Sequence, residues 1–200
     1  ARLIFVAPES GRYYLRIYNH EPAAYGADAY YQLSVHAERP RGLAIIVAGR
    51  LKTSDPLQPN INRAANRAYL TFLQRGYAKQ DILYLNVWSE QDVDGNGLQD
   101  DVAGMPTVEA IQIAIETWSV ERGVGPEVPL YIYFMDHGYV DRFHTDISQM
   151  ITAEQLDAWL SYLEAATGAD EITVVIDACF SGSFIDQYEF WDTRDQRWWG

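Results

Sequence analysis

Two side chains in this sequence have the types and neighbours that acyl-transfer chemistry needs. They are His137, followed by Gly138, and Cys179, the only cysteine, with Gly182 three residues on. A cysteine attacks as its thiolate, so it requires a base or cation close by, and histidine is the usual base. The oxyanion formed on the substrate needs fixed backbone N–H donors. Gly138 offers an unobstructed N–H beside the histidine, the N–H of Cys179 offers a second, and Gly182 permits a tight turn after the nucleophile.

Each of these residues ends a hydrophobic run. Leu130–Met135 leads to Asp136-His137-Gly138, and Ile172–Ile176 leads to Asp177-Ala178-Cys179. Runs of β-branched and aromatic residues with little alternation are the pattern of parallel strands buried on both faces. Two further strands are expected at Leu43–Ala48 and Asp81–Asn86. Helices are expected over Arg63–Gln74, from about Thr107 with Ile111, Ile115 and Trp118 on one face, and from Thr152. There Thr152 and Gln155 have capping-box spacing, and the apolar stripe is Leu156, Trp159, Leu160 and Leu163. Alternating β and α elements specify an α/β fold with a mostly parallel sheet and helices on both faces. Ligands bind at the carboxyl ends of such strands, where His137 and Cys179 both stand.

The sequence before this pattern differs in character. Arg12–Tyr18 and Tyr30–Val35 read as short aromatic-rich strands joined by a loop, a β-hairpin that has too little core to stand alone. Residues 37–42, with Pro40, form the expected linker, giving domains over 1–38 and 39–200. The chain opens mid-pattern without a methionine and reads as an excerpt or processed form, with its second domain cut short at the C-terminus. A formal net charge of −13 with only 15 Lys and Arg argues against nucleic acid. No apolar run reaches the roughly 20 residues that span a bilayer, and a single cysteine excludes an internal disulfide framework.

The paired motifs Tyr131-Ile132-Tyr133-Phe134-x-Asp136-His137-Gly138 and Asp177-Ala178-Cys179-x-Ser181-Gly182-Ser183 resemble the two catalytic motifs of the legumain-like cysteine peptidases, within the caspase, metacaspase and gingipain superfamily. The resemblance runs from Leu43 to Phe184, through Ile45–Gly49, Asn66–Tyr69 and Gln80–Ile82. It implies a caspase-like three-layer α/β/α sandwich, with Cys179 as nucleophile, His137 as general base and Gly138 as an oxyanion donor. It also places Asp177 in the pocket for the residue before the scissile bond. A carboxylate there suits Arg or Lys, or Asn if an arginine pairs with it. Legumains carry an asparagine after the first strand that orients the histidine, and Arg50-Leu51-Lys52-Thr53 contains none. Ala7-Pro8-x-Ser10-Gly11-x-Tyr13-Tyr14 and Tyr30-Tyr31-x-Leu33-x-Val35 resemble the last strands of a bacterial pre-peptidase C-terminal domain, a β-sandwich, which implies a secreted setting.

A second cluster is rich in oxygen ligands. Asp92, Asp94, Asn96, Asp100 and the carbonyl of Leu98 occupy EF-hand-like positions, with Gly97 at the sixth and Asp101 standing in for the absent carboxylate at the twelfth. The loop reads either as a calcium site or as a solvated Asp/Asn/Gly turn. His144 is expected in a loop near the site, without the partners for a metal centre. No Gly-x-Ser-x-Gly elbow and no phosphate loop occur. The expected protein is a secreted prokaryotic cysteine endopeptidase acting on proteins or peptides, with no cofactor required for its chemistry. The alternative is an inactive peptidase-like module that binds calcium and a protein partner.

Overall fold

The strand β1 (Leu43–Ala48) explains most of the architecture. All six of its residues are fully buried, and they divide by parity between two cores. Leu43, Ile45 and Val47 join one core, and Ala44, Ile46 and Ala48 join the other. A strand buried on both faces needs a layer on each side, which is why its sequence shows no polar alternation.

The computed structural model describes residues 41–185 together with Tyr14 and Gly26. The chain divides into two compact units, Ala1–Glu38 and Arg39–Gly200, and the elements below belong to the second. The hairpin expected over 1–38 and the aromatic residues Phe190, Trp191, Trp198 and Trp199 lie outside the described residues.

Four parallel strands form the main sheet in the order β2-β1-β3-β7, with β2 at Ile82–Asn86, β3 at Leu130–Met135 and β7 at Ile172–Asp177. Helix α1 (Gln58–Gln74) covers one face with Ile61, Ala65 and Tyr69. Helices α2 (Val108–Ile113), α3 (Ser119–Glu121) and α4 (Ala153–Thr167) lie along the chain of the other core, where Ile111, Ile115, Leu156, Trp159 and Leu163 pack. A π-helical turn, Ala114–Trp118, joins α2 to α3, and the buried Ser119 hydroxyl donates to the Ala114 carbonyl within it. The expected mixed α/β fold with a parallel sheet and flanking helices is the observed one.

Three details differ from the sequence reading. Helix α1 begins at Gln58 rather than Arg63, because Pro59 falls within the first turn, where its missing N–H costs nothing. The strand β7 is not buried on both faces: Thr173, Val175 and Asp177 are exposed and alternate with partly buried residues. Among the described residues it pairs only with β3, so its outer edge has no strand beside it. A small antiparallel sheet, β4 (Gly138–Tyr139), β5 (Arg142–Asp146) and β6 (Gln149–Thr152), follows the His137 motif where a loop was expected. Phe143 anchors it by packing edge-on against Phe134 of β3, with ring centroids 5.1 Å apart.

The last of these strands runs straight into α4 through a complete capping box. Thr152 Oγ1 accepts from the Gln155 N–H at 3.1 Å, and Gln155 Oε1 accepts from the Thr152 N–H at 3.0 Å. Gly168 ends the helix in the left-handed conformation at φ 68°. Thr152→Ala is expected to cost about 1 kcal/mol, read as a lower urea midpoint at unchanged slope.

Candidate active site

The parallel register of β3 and β7 brings the two motifs together. Met135 pairs with Asp177, and the Asp136 N–H still points to the Asp177 carbonyl at 3.4 Å. Two residues beyond this pair, past the ends of both strands, come His137 and Cys179. The thiol is exposed at the sheet edge. Gly138 makes this approach feasible: a Cβ there would lie 2.4 Å from the Cys179 carbonyl oxygen and 3.2 Å from Ala178 Cβ.

The turn after the cysteine is not made by Gly182. Phe180 adopts the left-handed conformation, at φ 60°, and the 3₁₀ turn Ser181–Phe184 follows. Among the described residues, a Cβ on Gly182 would meet nothing within 4 Å. The Ser183 hydroxyl stitches the turn to the β4–β5 connection, accepting from the Asp141 N–H at 2.7 Å and donating to the Phe180 carbonyl at 2.8 Å.

The sequence reading found no residue to orient the histidine. The structure supplies one in Asp55, whose Oδ2 lies 2.9 Å from His137 Nε2, with a side chain only 3% exposed. The ring nitrogen and that oxygen are not aligned as a hydrogen bond, so the pair is a close polar contact rather than a linear hydrogen bond. The other carboxylate oxygen, Oδ1, accepts from the Leu57 N–H at 2.9 Å and so fixes the side chain at the entry to α1. Gln58 strengthens this anchorage, donating from Nε2 to the Gly49 carbonyl at 2.9 Å. The signal in the sequence is Asp55-Pro56-x-x-Pro59, an aspartate ahead of a helix start, on the connection that leaves the carboxyl end of β1.

Asp136, next to the histidine, is wholly buried, with Oδ1 3.9 Å from His137 Nε2. Burial, then the charges of Asp55 and Asp146, push its carboxyl up to about 8. Gly49 packs tightly here, since a Cβ would meet the His144 carbonyl oxygen and sit 2.6 Å from Asp136 Oδ2. Arg50 grips Asp146 Oδ1 from Nε at 3.0 Å and Nη2 at 2.8 Å, which ties the connection after β1 to β5. His144, expected in a loop, is a buried residue of β5; burial, then His137, hold its imidazole below the usual histidine range.

Two features flank the thiol. On the α1 side, Asp177 is exposed and accepts from the Tyr133 hydroxyl at 3.1 Å. Burial and the Asp177 charge push that phenol up to about 12. Beside the β4–β5 connection, a cleft of about 610 Å³ is lined by Tyr139, Val140, Asp141, Arg142, Glu154 and Phe180.

The acidic loop lies apart from this edge. Asp92, Asp94 and Asp101 present oxygens within 4.8 Å of one another. Asn96 and Asp92 are used in turns: the Asn96 N–H donates to Asp92 Oδ1 at 3.0 Å, and the Leu98 N–H donates to Asn96 Oδ1 at 2.7 Å. A lysine already sits among the carboxylates. Lys79 Nζ reaches Asp100 at 2.5 Å, Asp101 at 2.6 Å and Asp94 at 3.4 Å. Asp101 also receives the Tyr69 hydroxyl at 2.7 Å and the N–H groups of Val93 at 2.5 Å and Asp94 at 3.0 Å. Burial alone would raise its carboxyl, but these donors outweigh that and hold it below the usual range. A carboxyl depressed on folding stabilises the fold above the unfolded-state value, and that contribution is lost as pH falls through the folded one. Asp101→Asn should therefore lower the Tm at neutral pH, and the difference from wild type should shrink below pH about 4.

Residues 123–193 match the family model described as the Peptidase C13 family. No curated protein matches the chain. The matched segment contains β3, the small antiparallel sheet, α4, β7 and both motifs, so the part of the chain that carries His137 and Cys179 is the part similar to the Peptidase C13 family.

Proposed function

We propose that the protein is a cysteine endopeptidase in which Cys179 and His137 form the catalytic pair and Asp55 holds the imidazole. With Nε2 facing Asp55, the Nδ1 atom is left to exchange a proton with the thiol. The Cys179 sulfur attacks the scissile carbonyl and the C–N bond breaks. His137 delivers a proton to the departing amine, and a thioester remains on Cys179. His137 then takes a proton from water, whose oxygen displaces the sulfur. Gly138 and the Cys179 N–H are the proposed donors to the oxyanion. The observation that carries this reading is the contact of His137 with Asp55 just past the strand that pairs with the one leading to Cys179. The exposed Asp177 before the cysteine and the cleft lined by Tyr139 and Phe180 after it support cleavage within a chain rather than at its end.

The Asp177 carboxylate is exposed, and its described side-chain partner is a tyrosine rather than an arginine, which favours a basic residue before the scissile bond. The test is a panel of internally quenched peptides with Arg, Lys, Asn or Asp at that position, assayed with and without prior iodoacetamide. Cleavage after Arg or Lys that iodoacetamide abolishes is the expected result. Cleavage that survives complete alkylation of the thiol would overturn it. A second reading, a calcium-binding module without activity, draws on the Asp92, Asp94 and Asp101 cluster. It predicts no cleavage of any peptide together with a Tm raised by calcium and restored by chelator.

A further inference from the structure

The imidazole of His137 is faced on one nitrogen by two buried carboxyl groups, not one. Asp55 Oδ2 lies 2.9 Å and Asp136 Oδ1 lies 3.9 Å from Nε2, with side chains 3% and 0% exposed. Neither oxygen of Asp136 has a hydrogen-bond partner among the described residues. We propose that Asp136 is a positioning residue that carries the one proton of the Asp55–Asp136 pair, so that His137 is held by a single negative charge. This goes beyond the peptidase reading above and rests on it for its catalytic meaning.

The charge inventory around Asp136 carries the argument. From the connection after β1 come Asp55 and Arg50, and the charge of Arg50 is matched by Asp146 at the end of β5. His137 adjoins on its own strand, the buried His144 lies on β5, and Asp177 on β7 is engaged by Tyr133. The imidazole can supply at most one positive charge to the two carboxyl groups on its Nε2. Two carboxylates that close together in a site closed to water do not both ionise, so one proton stays with the pair. The push on the Asp136 carboxyl from burial, Asp55 and Asp146 agrees with this assignment.

The pair would act as a reserve of charge. Near neutrality one negative charge holds the ring without pinning its proton. As pH passes about 8 the Asp136 proton leaves, and a second negative charge then faces the ring. A neutral amide at position 136 can copy the shape of the protonated acid but cannot ionise.

The test uses infrared difference spectra of the whole chain, titrated from neutral to alkaline pH, in wild type and in Asp136→Asn and Asp55→Asn. The C=O stretch of a protonated, buried carboxylic acid is expected in wild type and absent from Asp136→Asn. In Asp55→Asn it should titrate lower by about one pH unit or more. No such band in wild type at neutral pH, or a midpoint unmoved by Asp55→Asn, would overturn the proposal. This readout needs no peptide turnover, so a failed peptidase reading and a failed protonated pair give different results. In the active enzyme, Asp136→Leu should lower kcat/KM about tenfold or more and Asp136→Asn should restore most of it. Equal losses in Leu and Asn variants at all pH values would make Asp136 a packing residue only.

Discussion

Cys179→Ala is expected to reduce peptide cleavage by about 10⁴-fold or more, with the fold unchanged. Loss of a covalent nucleophile removes the whole acyl-enzyme route, and effects of that order are usual for such residues. The thiol is exposed at the end of β7, and its strand contacts are made by the backbone, so stability should move by no more than about 0.5 kcal/mol. Far-UV circular dichroism and the Tm therefore serve as controls beside kcat/KM. Cleavage by the alanine variant at wild-type rates would move the chemistry to another group.

The second large effect is expected at a residue with no side chain. Gly138→Ala would place a methyl 2.4 Å from the Cys179 carbonyl oxygen and 3.2 Å from the Arg142 carbonyl oxygen. Both are backbone atoms, so no rotamer change relieves the overlap, and the end of β3 must move away from β7. Overpacking of this kind costs about 1–3 kcal/mol. The displacement falls between the proposed base and nucleophile, where a shift of about 1 Å can cost about 10²-fold. Gly182→Ala is the matched control, with open space around it among the described residues and no positive φ to preserve. It should retain near wild-type kcat/KM. Equal activity in both variants would show that the close approach at Gly138 is not what aligns the site.

The contrast between these glycines shows what could be read from sequence and what could not. Both follow a reactive residue, and as letters they look alike. Only the backbone path separates them, since Phe180 rather than Gly182 takes the left-handed position. The strands β1 and β3 were legible because burial on both faces removes polar residues, and α4 because its cap is written in Thr152 and Gln155. The small sheet β4–β6 was not legible. Its strands have two to five residues, largely polar, with a bulge between His144 and Asp146, and it is fixed by Phe143 on Phe134 rather than by its own pattern. Asp55 was not legible for a related reason: it lies beyond the Arg50–Thr53 stretch that directly follows β1, and the connection reaches His137 only at the start of α1. The Asp92–Asp101 run was legible as a cluster, but Lys79, which sits among its carboxylates, lies thirteen residues before it and carries no spacing signal.

The strand order also sets when the chain can become reactive. The central strand β1 emerges first during synthesis, yet its two neighbours are β2 and the much later β3, and β7 can dock only on β3. Each parallel pairing closes a long loop before it gains contacts, which makes such sheets slow to form. His137 therefore stays without its counterpart until β7 is in register on β3. A ribosome-bound or half-folded chain, however much of α1 and β1 it has assembled, carries a thiol and an imidazole that have not met. Bringing the imidazole and the thiol to one edge is in this fold a property of the assembled sheet.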